Sequence, residues 1–307
     1  MWWRIGRRGD GRAPLWIELV VIGWLFYLYD VVNNLAPIRQ QLAVHDAVGL
    51  LAFEHSLHLS PELAINTWLA VHATLGSIAS YYYFFAHGVV TFTVLALLWW
   101  KRPELYRRQR TLLVIINLIA FAVFWRYPLA PPRMFPKLGY VDVIATSHAL
   151  VSWSSSALVH DADQLAAMPS LHIAWAIWSG LSLWLLMRRR VFALLGIAYP
   201  LLTALVVMGT ANHYVLDVLA AAATVPLAFA LQRGLYWLLA RTRRLGAQAV
   251  AVPARGVRRE PGVATVLAAA VAPRSADGEA LIAVEEPRPQ RRRAGTQQPH
   301  RGVRESA

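Results

Sequence analysis

The sequence contains no cysteine, which excludes disulfide bonds, thiolate metal sites and cysteine nucleophiles. Charged residues are also scarce, at 15% of the chain, against about 25% in a typical soluble protein. Apolar residues reach 57%, and the chain has 13 Trp, a residue that is enriched at membrane interfaces. The composition therefore excludes an ordinary soluble protein and predicts a polytopic membrane protein.

Apolar runs of about 17–25 residues have the length that crosses a bilayer. Backbone groups in lipid must be satisfied internally, so each such run is expected to be a helix. The sequence has six candidates, at residues 15–32, 80–100, 111–127, 171–187, 191–208 and 214–231. Residues 37–78 mix apolar residues with His, Asp and Glu, and we expect one or two interfacial helices there, running on towards the second span. The predicted fold is all-α: six transmembrane helices with an interfacial helical segment after the first.

Basic residues set the orientation of these spans. Arg and Lys cluster before the first span, between the second and third, between the fourth and fifth, and after the sixth. These ends alternate, so the positive-inside rule places both termini in the cytoplasm of a multi-pass plasma-membrane protein. This topology accounts for the basic residues behind the net charge of +13, so the charge does not imply a nucleic-acid partner.

Three regions result from this topology. Residues 1–14 form a cytoplasmic N-terminus, and residues 15–240 form the membrane domain. Residues 241–307 contain 13 Arg and 6 Asp or Glu and are rich in Ala, Pro and Gly, which predicts a disordered basic cytoplasmic tail.

Three polar clusters fall on the outer side of this topology. They are Arg126-Tyr-Pro-Leu-Ala-Pro-Pro-Arg133 after span three, Met168-Pro-Ser-Leu-His172 opening span four, and Thr210-Ala-Asn-His-Tyr-Val-Leu-Asp217 opening span six. Because the chain returns all three clusters to one membrane face, we expect them to form one site.

The residue types in these clusters suit phosphate chemistry. His213 and Asp217 are spaced i and i+4, and a carboxylate beside an imidazole makes its other nitrogen a better nucleophile or base. His172 opens a helix that Ser170 can cap, where free amides favour an anion such as phosphate. Arg133 offers a planar fork of donors for phosphate oxygens. Together these residues predict phosphoryl transfer without a metal or cofactor. One His attacks phosphorus and a second His protonates the leaving oxygen.

These motifs resemble those of the type 2 phosphatidic acid phosphatase (PAP2) superfamily. The matching residues are Pro169-Ser-Leu-His172, His213-Tyr-Val-Leu-Asp217, and Arg126 with Arg133 at the spacing of the family's basic motif. Met134 stands where the family has Pro, and Val207 stands where its third motif has Arg. The variant motifs look closer to the branch of inositol phosphorylceramide synthases and bacterial relatives, over about residues 81–231.

The resemblance implies a role for each residue. His213 forms a phosphohistidine, Asp217 orients it, and His172 acts as acid and then as base. Arg133 binds phosphate, and the remaining candidates for phosphate binding are Arg126, Ser170 and Asn212, with Asn212 in place of the absent Arg.

The implied substrate is a lipid phosphate or phospholipid. Water as acceptor gives a phosphatase acting on phosphatidate or a polyprenyl phosphate. An alcohol acceptor gives head-group transfer, for example of inositol phosphate, which the absence of the family's Arg at Val207 slightly favours.

Two other classes stay open on the residues alone. His172, His213 and Asp217 have the ligand types of a two-His, one-carboxylate metal enzyme. Intramembrane His and Asp side chains also relay protons in transporters, which need no catalysis. His87 is expected to pack within the second span, Tyr83 to belong to an interfacial aromatic belt, and Asp142 has no assigned role.

Overall fold

The computed structural model describes residues 14–33, 39–147, 165 and 167–250. These residues form helices and loops without a strand, which confirms the all-α prediction for this part of the chain. Its helices are α1 (Leu15–Asn33), α2 (Gln40–Ser56), α3 (Glu62–Ala70), α4 (Ala73–Lys101), α5 (Pro103–Arg126), α6 (Val143–Thr146), α7 (Leu171–Met187), α8 (Arg190–Gly209) and α9 (Val215–Val250). Two short 3₁₀ turns, Pro132–Met134 and Pro136–Leu138, connect α5 to α6.

Each predicted span coincides with one of these helices. Within the described ranges, α4, α5, α8 and α9 are long and apolar enough to cross a membrane. Helix α7 is shorter, at 17 residues, and 17 helical residues extend over about 26 Å, less than a typical hydrocarbon core of about 30 Å. The chain is thus a membrane protein by its four long apolar helices, and crossing by α1 and α7 stays a prediction.

The predicted interfacial segment contains two separate helices, α2 and α3, and α4 begins directly after them. One side of α2 is buried, through Ala43, Ala47, Leu50, Leu51 and Glu54. This spacing of three and four residues is that of an amphipathic helix. Its position at the membrane surface stays a prediction, whereas its contacts with the rest of the fold are described below.

Helix α7 lies at the centre of the bundle, packed against α4, α5 and α8. Trp178 is fully buried and its indole N–H donates to the Gln109 carbonyl at 2.9 Å. The Thr91 and Ser179 hydroxyl groups lie 3.2 Å apart across α4 and α7. In lipid, packing and interhelical hydrogen bonds of this kind hold helices together.

Helix α1 packs on α5. Leu25 and Leu28 contact a cluster built on Phe121 and Phe124, and an ion pair also joins the two helices.

Helix α9 continues to Val250, past the boundary at 240 that the sequence predicted for the membrane domain. The predicted N-terminal region up to residue 13 and the predicted tail from residue 251 lie outside the described residues.

Candidate active site

The beginning of α7 is anchored on the first turn of α9. The Ser170 backbone N–H donates to the Asp217 carbonyl at 3.3 Å, which brings the second and third motifs together. Ser170 occupies the N-cap position, but its side chain makes no capping hydrogen bond, so the expectation of a serine cap is wrong. The hydroxyl is instead fully buried and has no hydrogen-bond partner among the described residues. Ser170 therefore supports the site mainly through its backbone.

The loop between α8 and α9 carries the third motif. The Val207 carbonyl accepts from the backbone N–H groups of Asn212 and His213, at 3.0 and 3.2 Å. This fold-back turns the chain sharply, with Ala211 at a φ of +56°, a left-handed conformation that disfavours residues other than glycine. The Val207 side chain is buried in the core. The position where the family has Arg therefore packs the bundle in this protein.

His213 and Asp217 form the predicted pair, although His213 stands two residues before α9 begins. The His213 Nδ1 lies 3.3 Å from the Asp217 Oδ2, and the same oxygen accepts from the Tyr214 backbone N–H at 2.9 Å. Both side chains are buried, with Asp217 fully so. A carboxylate in this position favours the tautomer with the proton on Nδ1. The Nε2 lone pair is thereby left for a substrate.

The second histidine lies across a short gap from the first. The ring centroids of His172 and His213 are 5.9 Å apart, which confirms that the two imidazoles approach one another. His172 is held by two residues of α4: Tyr83 stacks on it at 4.3 Å, and His87 meets it edge-on at 4.3 Å. The sequence interpretation missed both contacts. The available signal was the spacing of Tyr83 and His87, one helical turn apart in a single span.

Arg133 approaches the histidines from the loop after α5. Its backbone N–H donates to the Ala211 carbonyl at 2.8 Å, which ties the first motif to the third. Its guanidinium donates through Nη1 to the Asn212 side-chain oxygen, and its Nε lies 3.9 Å from Asp142. The Arg133 side chain is 6% exposed, so burial and these neighbours fix its direction.

Asn212 is fully engaged within the protein. Its amide nitrogen donates to the Thr210 carbonyl at 3.1 Å and to the Thr210 hydroxyl at 2.9 Å. Its oxygen accepts from Arg133. An amide has two N–H donors, and both have partners here. The structure thus places Asn212 in contact with Arg133, and the predicted contact of Asn212 with phosphate stays a prediction.

Arg126 is not brought to the other candidates. It is exposed at the end of α5 and does not line the cavity that contains the two histidines. The chain turns after α5 so that Leu129 and Ala130 are buried, and this turn separates Arg126 from Arg133. The spacing that resembles the family's basic motif therefore brings only Arg133 into the site.

Buried carboxylates of α2 and α3 support the site from behind. The Glu54 Oε1 accepts from the Leu216 backbone N–H at 2.6 Å, at the start of α9, and the Glu62 Oε1 accepts from the Tyr140 hydroxyl at 3.0 Å. Burial raises the pKa of Glu54 to about 8, and the nearby Glu62 and Asp217 charges add to this shift. Burial also raises the pKa of Glu62. The signal in the sequence was a pair of acidic residues within otherwise apolar helices.

The site opens into a cavity of 430 Å³ between the helices. Its lining includes His172, His213, Arg133 and Asn212 at one end. Among the described residues no group of three His, Asp or Glu side chains could hold a metal ion. The two imidazoles and the Arg133 guanidinium at this end of the cavity suit a phosphate group between them.

Comparison with known proteins agrees with this geometry. A family model described as the PAP2 superfamily matches residues 48–231. A search of curated proteins and a search of solved structures each found no match. The matched segment includes all three motifs and leaves out α1 and the end of α9. Since it covers more than half of the chain, the protein belongs to the PAP2 superfamily, whose members are phosphatases.

Proposed function

We propose that the protein is an integral-membrane lipid phosphatase that works through a phosphohistidine on His213. The observation that carries this proposal is the meeting of His172 and His213, with ring centroids 5.9 Å apart, at the end of the cavity that Arg133 also lines. Two imidazoles and a guanidinium around one space provide a nucleophile, an acid and a binder of phosphate oxygens.

In the first step the His213 Nε2 attacks phosphorus. An N–P bond forms as the P–O bond to the lipid breaks, and protonated His172 gives its proton to the leaving lipid oxygen. The Arg133 guanidinium neutralises the charge on the phosphoryl oxygens that do not leave. Asp217 stabilises the positive charge that develops on His213.

In the second step neutral His172 acts as a base. It takes a proton from water while the water oxygen attacks the phosphohistidine, and the N–P bond breaks. Inorganic phosphate is released, His213 returns to its neutral form, and His172 is again protonated for the next cycle. Atoms and charges balance with water as the second substrate.

The surroundings of the site support a lipid substrate. The cavity lies between α1, α4, α5 and α7, of which α4 and α5 are long and apolar enough to cross a membrane. A hydrocarbon chain reaches such a cavity from the bilayer without entering water. We further propose the plasma membrane as location, with the site on its outer face and both termini in the cytoplasm, as the distribution of Arg and Lys indicates.

Head-group transfer uses the same first step. An alcohol then replaces water in the second step, and the product is a new phosphodiester or phosphomonoester. The inositolphosphotransferase branch rests on the resemblance of the motifs and on Val207, which stands where a lipid phosphatase of the family has Arg. Hydrolysis is the reaction proposed here, and transfer is an outcome of its test.

The test uses the purified full-length protein in detergent–lipid micelles with EDTA. Phosphatidate, a polyprenyl phosphate and phosphatidylinositol are offered with and without inositol or diacylglycerol, and free phosphate and lipid products are both measured. His213→Ala should abolish turnover and should not form an acid-labile phosphoenzyme. The matched control is His45→Ala, since the His45 side chain is 85% exposed in α2 and should turn over normally.

Each other outcome points to a different class. New head-group lipid without phosphate release would replace hydrolysis by transfer. Turnover that EDTA abolishes would favour the metal enzyme, and substrate flux without turnover would favour the transporter. Turnover that survives in His213→Ala would exclude the phosphohistidine.

A further inference from the structure

The catalytic cavity is much longer than a phosphate group needs. It is lined along α5 from Phe124, near the histidines, to Tyr106. These residues are 18 positions apart, which corresponds to about 27 Å along a helix. A hydrocarbon core is about 30 Å thick, so one leaflet provides about 15 Å. The cavity therefore extends well beyond the depth of a single leaflet.

The middle of the cavity is apolar. Val21 and Leu25 of α1 line it, as do Phe92 and Leu95 of α4. The Asn117 side chain also lines the cavity, but its amide donates to the Leu113 carbonyl at 2.8 Å. One N–H of the Asn117 amide is thereby satisfied within its own helix. This stretch therefore suits hydrocarbon.

A glycine also lines the cavity on α4, next to His87. At Gly88, a Cβ would meet nothing within 4 Å, so the absence of a side chain there keeps the cavity open directly below the histidines.

Charged residues end the cavity at the opposite pole from the histidines. The Arg110 guanidinium donates to the Glu18 carboxylate at 2.5 Å and lies 5.9 Å from the Tyr106 ring centroid. Glu18 is 7% exposed. Hydrocarbon placed against this ion pair would displace polar surroundings from the charged groups without offering them a hydrogen bond, which is unfavourable. The terminal methyl group of a bound chain is therefore expected to stop before the pair. Helix α1, which contributes Glu18, lies outside the segment that matches the family.

We propose that this cavity binds a hydrocarbon chain of the substrate and that the Glu18–Arg110 pair sets the chain length that fits. The proposal rests on the proposed function for the position of the phosphate. Chain selection then depends on α1, an element that this chain adds to the matched family segment. Chains that fill the cavity gain burial along its whole length, and longer chains meet the ion pair.

The test uses the full-length protein and a homologous series of straight-chain alkyl monophosphates. The shortest chain should end near Gly88 and the longest should exceed the cavity. Phosphate release is measured for each, as kcat/KM. For the unsubstituted protein kcat/KM should rise with chain length and then fall once the chain passes the Glu18–Arg110 pair.

Two obstructing variants on different helices test the path. Gly88→Leu and Val21→Trp should each lower the ratio of long-chain to short-chain kcat/KM at least tenfold, since burying two methylene groups contributes about 1.6 kcal/mol. The control is Val20→Trp, on the same helix but 62% exposed, which should leave that ratio unchanged. If Gly88→Leu does not fold, Val21→Trp decides.

The end wall is tested by Glu18→Ala/Arg110→Ala, which removes both charges and so leaves neither buried alone. The preferred chain should become longer. A chain-length profile that is flat, or that stays the same in all three cavity variants, would overturn the proposal while phosphate release continues. Failure of the proposed function is distinct, because no alkyl phosphate of any length would then be hydrolysed in a His213-dependent manner.

Discussion

Arg133 is the side chain of the first motif that lines the cavity beside the two histidines. Its direction is set by Asn212, by Asp142 and by a backbone bond to Ala211. A lysine has the same charge but lacks the planar fork that binds two oxygens at once.

Arg133→Lys should therefore lower kcat by about 10²–10³, the loss that follows removal of one donor to a developing negative charge. The measurement is steady-state phosphate release at saturating substrate. Arg126→Lys is the matched control, because Arg126 is exposed and away from the cavity, and it should stay within about twofold, since surface substitutions change little. An equal loss of kcat in Arg133→Lys and Arg126→Lys would show that Arg126 also takes part in the site.

Glu54 makes the stability of the fold depend on pH. Its pKa is about 8 in the folded protein because of burial, against 4.5 for the ordinary group. Between these values the unfolded chain has lost the proton and the folded chain retains it. Folding therefore becomes less favourable as pH rises through this window.

The expected result is a thermal unfolding temperature that falls as pH rises from about 5 to about 8, with a smaller fall in Glu54→Gln. The Gln side chain keeps an oxygen for the Leu216 N–H and does not ionise. Glu104→Gln is the control, since the Glu104 side chain is 87% exposed, and its profile should follow that of the unsubstituted protein. An unchanged slope in Glu54→Gln would show that this carboxyl ionises at its ordinary pKa in the folded state.

Helices α7 and α8 approach each other through two glycines. A Cβ on Gly180 would stand 2.4 Å from the Gly196 carbonyl oxygen, a distance that requires the helices to separate. Small residues at such a crossing are what allow membrane helices to pack closely. His172 lies two turns before Gly180 in α7, so the crossing also positions the proposed acid.

Gly180→Ala should lower the free energy of unfolding by about 1–3 kcal/mol, as overpacking does, and should lower kcat by displacing His172. Thermal unfolding and phosphate release measure the two effects. Gly234→Ala is a matched helical control with nothing within 4 Å of the new Cβ, and alanine there should stabilise α9 by up to about 1 kcal/mol. A stable and active Gly180→Ala would contradict the close crossing.

Helices α2 and α3 show how an element gains its role from its contacts. Their acidic residues indicate a surface segment when the sequence is considered alone. In the structure Glu54 and Glu62 are fully buried, and Glu54 binds the beginning of α9. The acidic residues that predict solvent exposure in the sequence are thus buried in the structure, where Glu54 supports the loop that carries His213.

The orientation of the whole molecule can be tested directly because the chain has no cysteine. Lys137 lies in the loop that follows α5, Arg189 lies between α7 and α8, and both are exposed. The variants Lys137→Cys and Arg189→Cys therefore each introduce a single accessible thiol. In intact cells a membrane-impermeant thiol reagent should label Lys137→Cys alone. Arg189→Cys should be labelled only after the membrane is permeabilised, and the unsubstituted protein should not be labelled. The reverse pattern would place the active site on the cytoplasmic side.

The all-helical class and the position of each apolar helix followed from the sequence, because the length and hydropathy of a run depend only on neighbouring residues. His172, His213 and Asp217 were recognisable for the same reason, since their spacings are local. Four apolar helices have a spanning length, and the ends of α1 and α7 agree with the predicted runs to within one residue. Helices α4, α5 and α9 extend well beyond their predicted runs, so hydropathy alone sets the ends of these helices poorly.

Tertiary contacts decided the rest of the site. The clamp of Tyr83 and His87 on His172, the support of α9 by Glu54 and the end wall at Glu18 join residues far apart in the chain. The exclusion of Arg126 follows from a turn that its spacing does not reveal. Such contacts depend on how the helices cross, and crossing is set by packing over the whole bundle and not by any one segment.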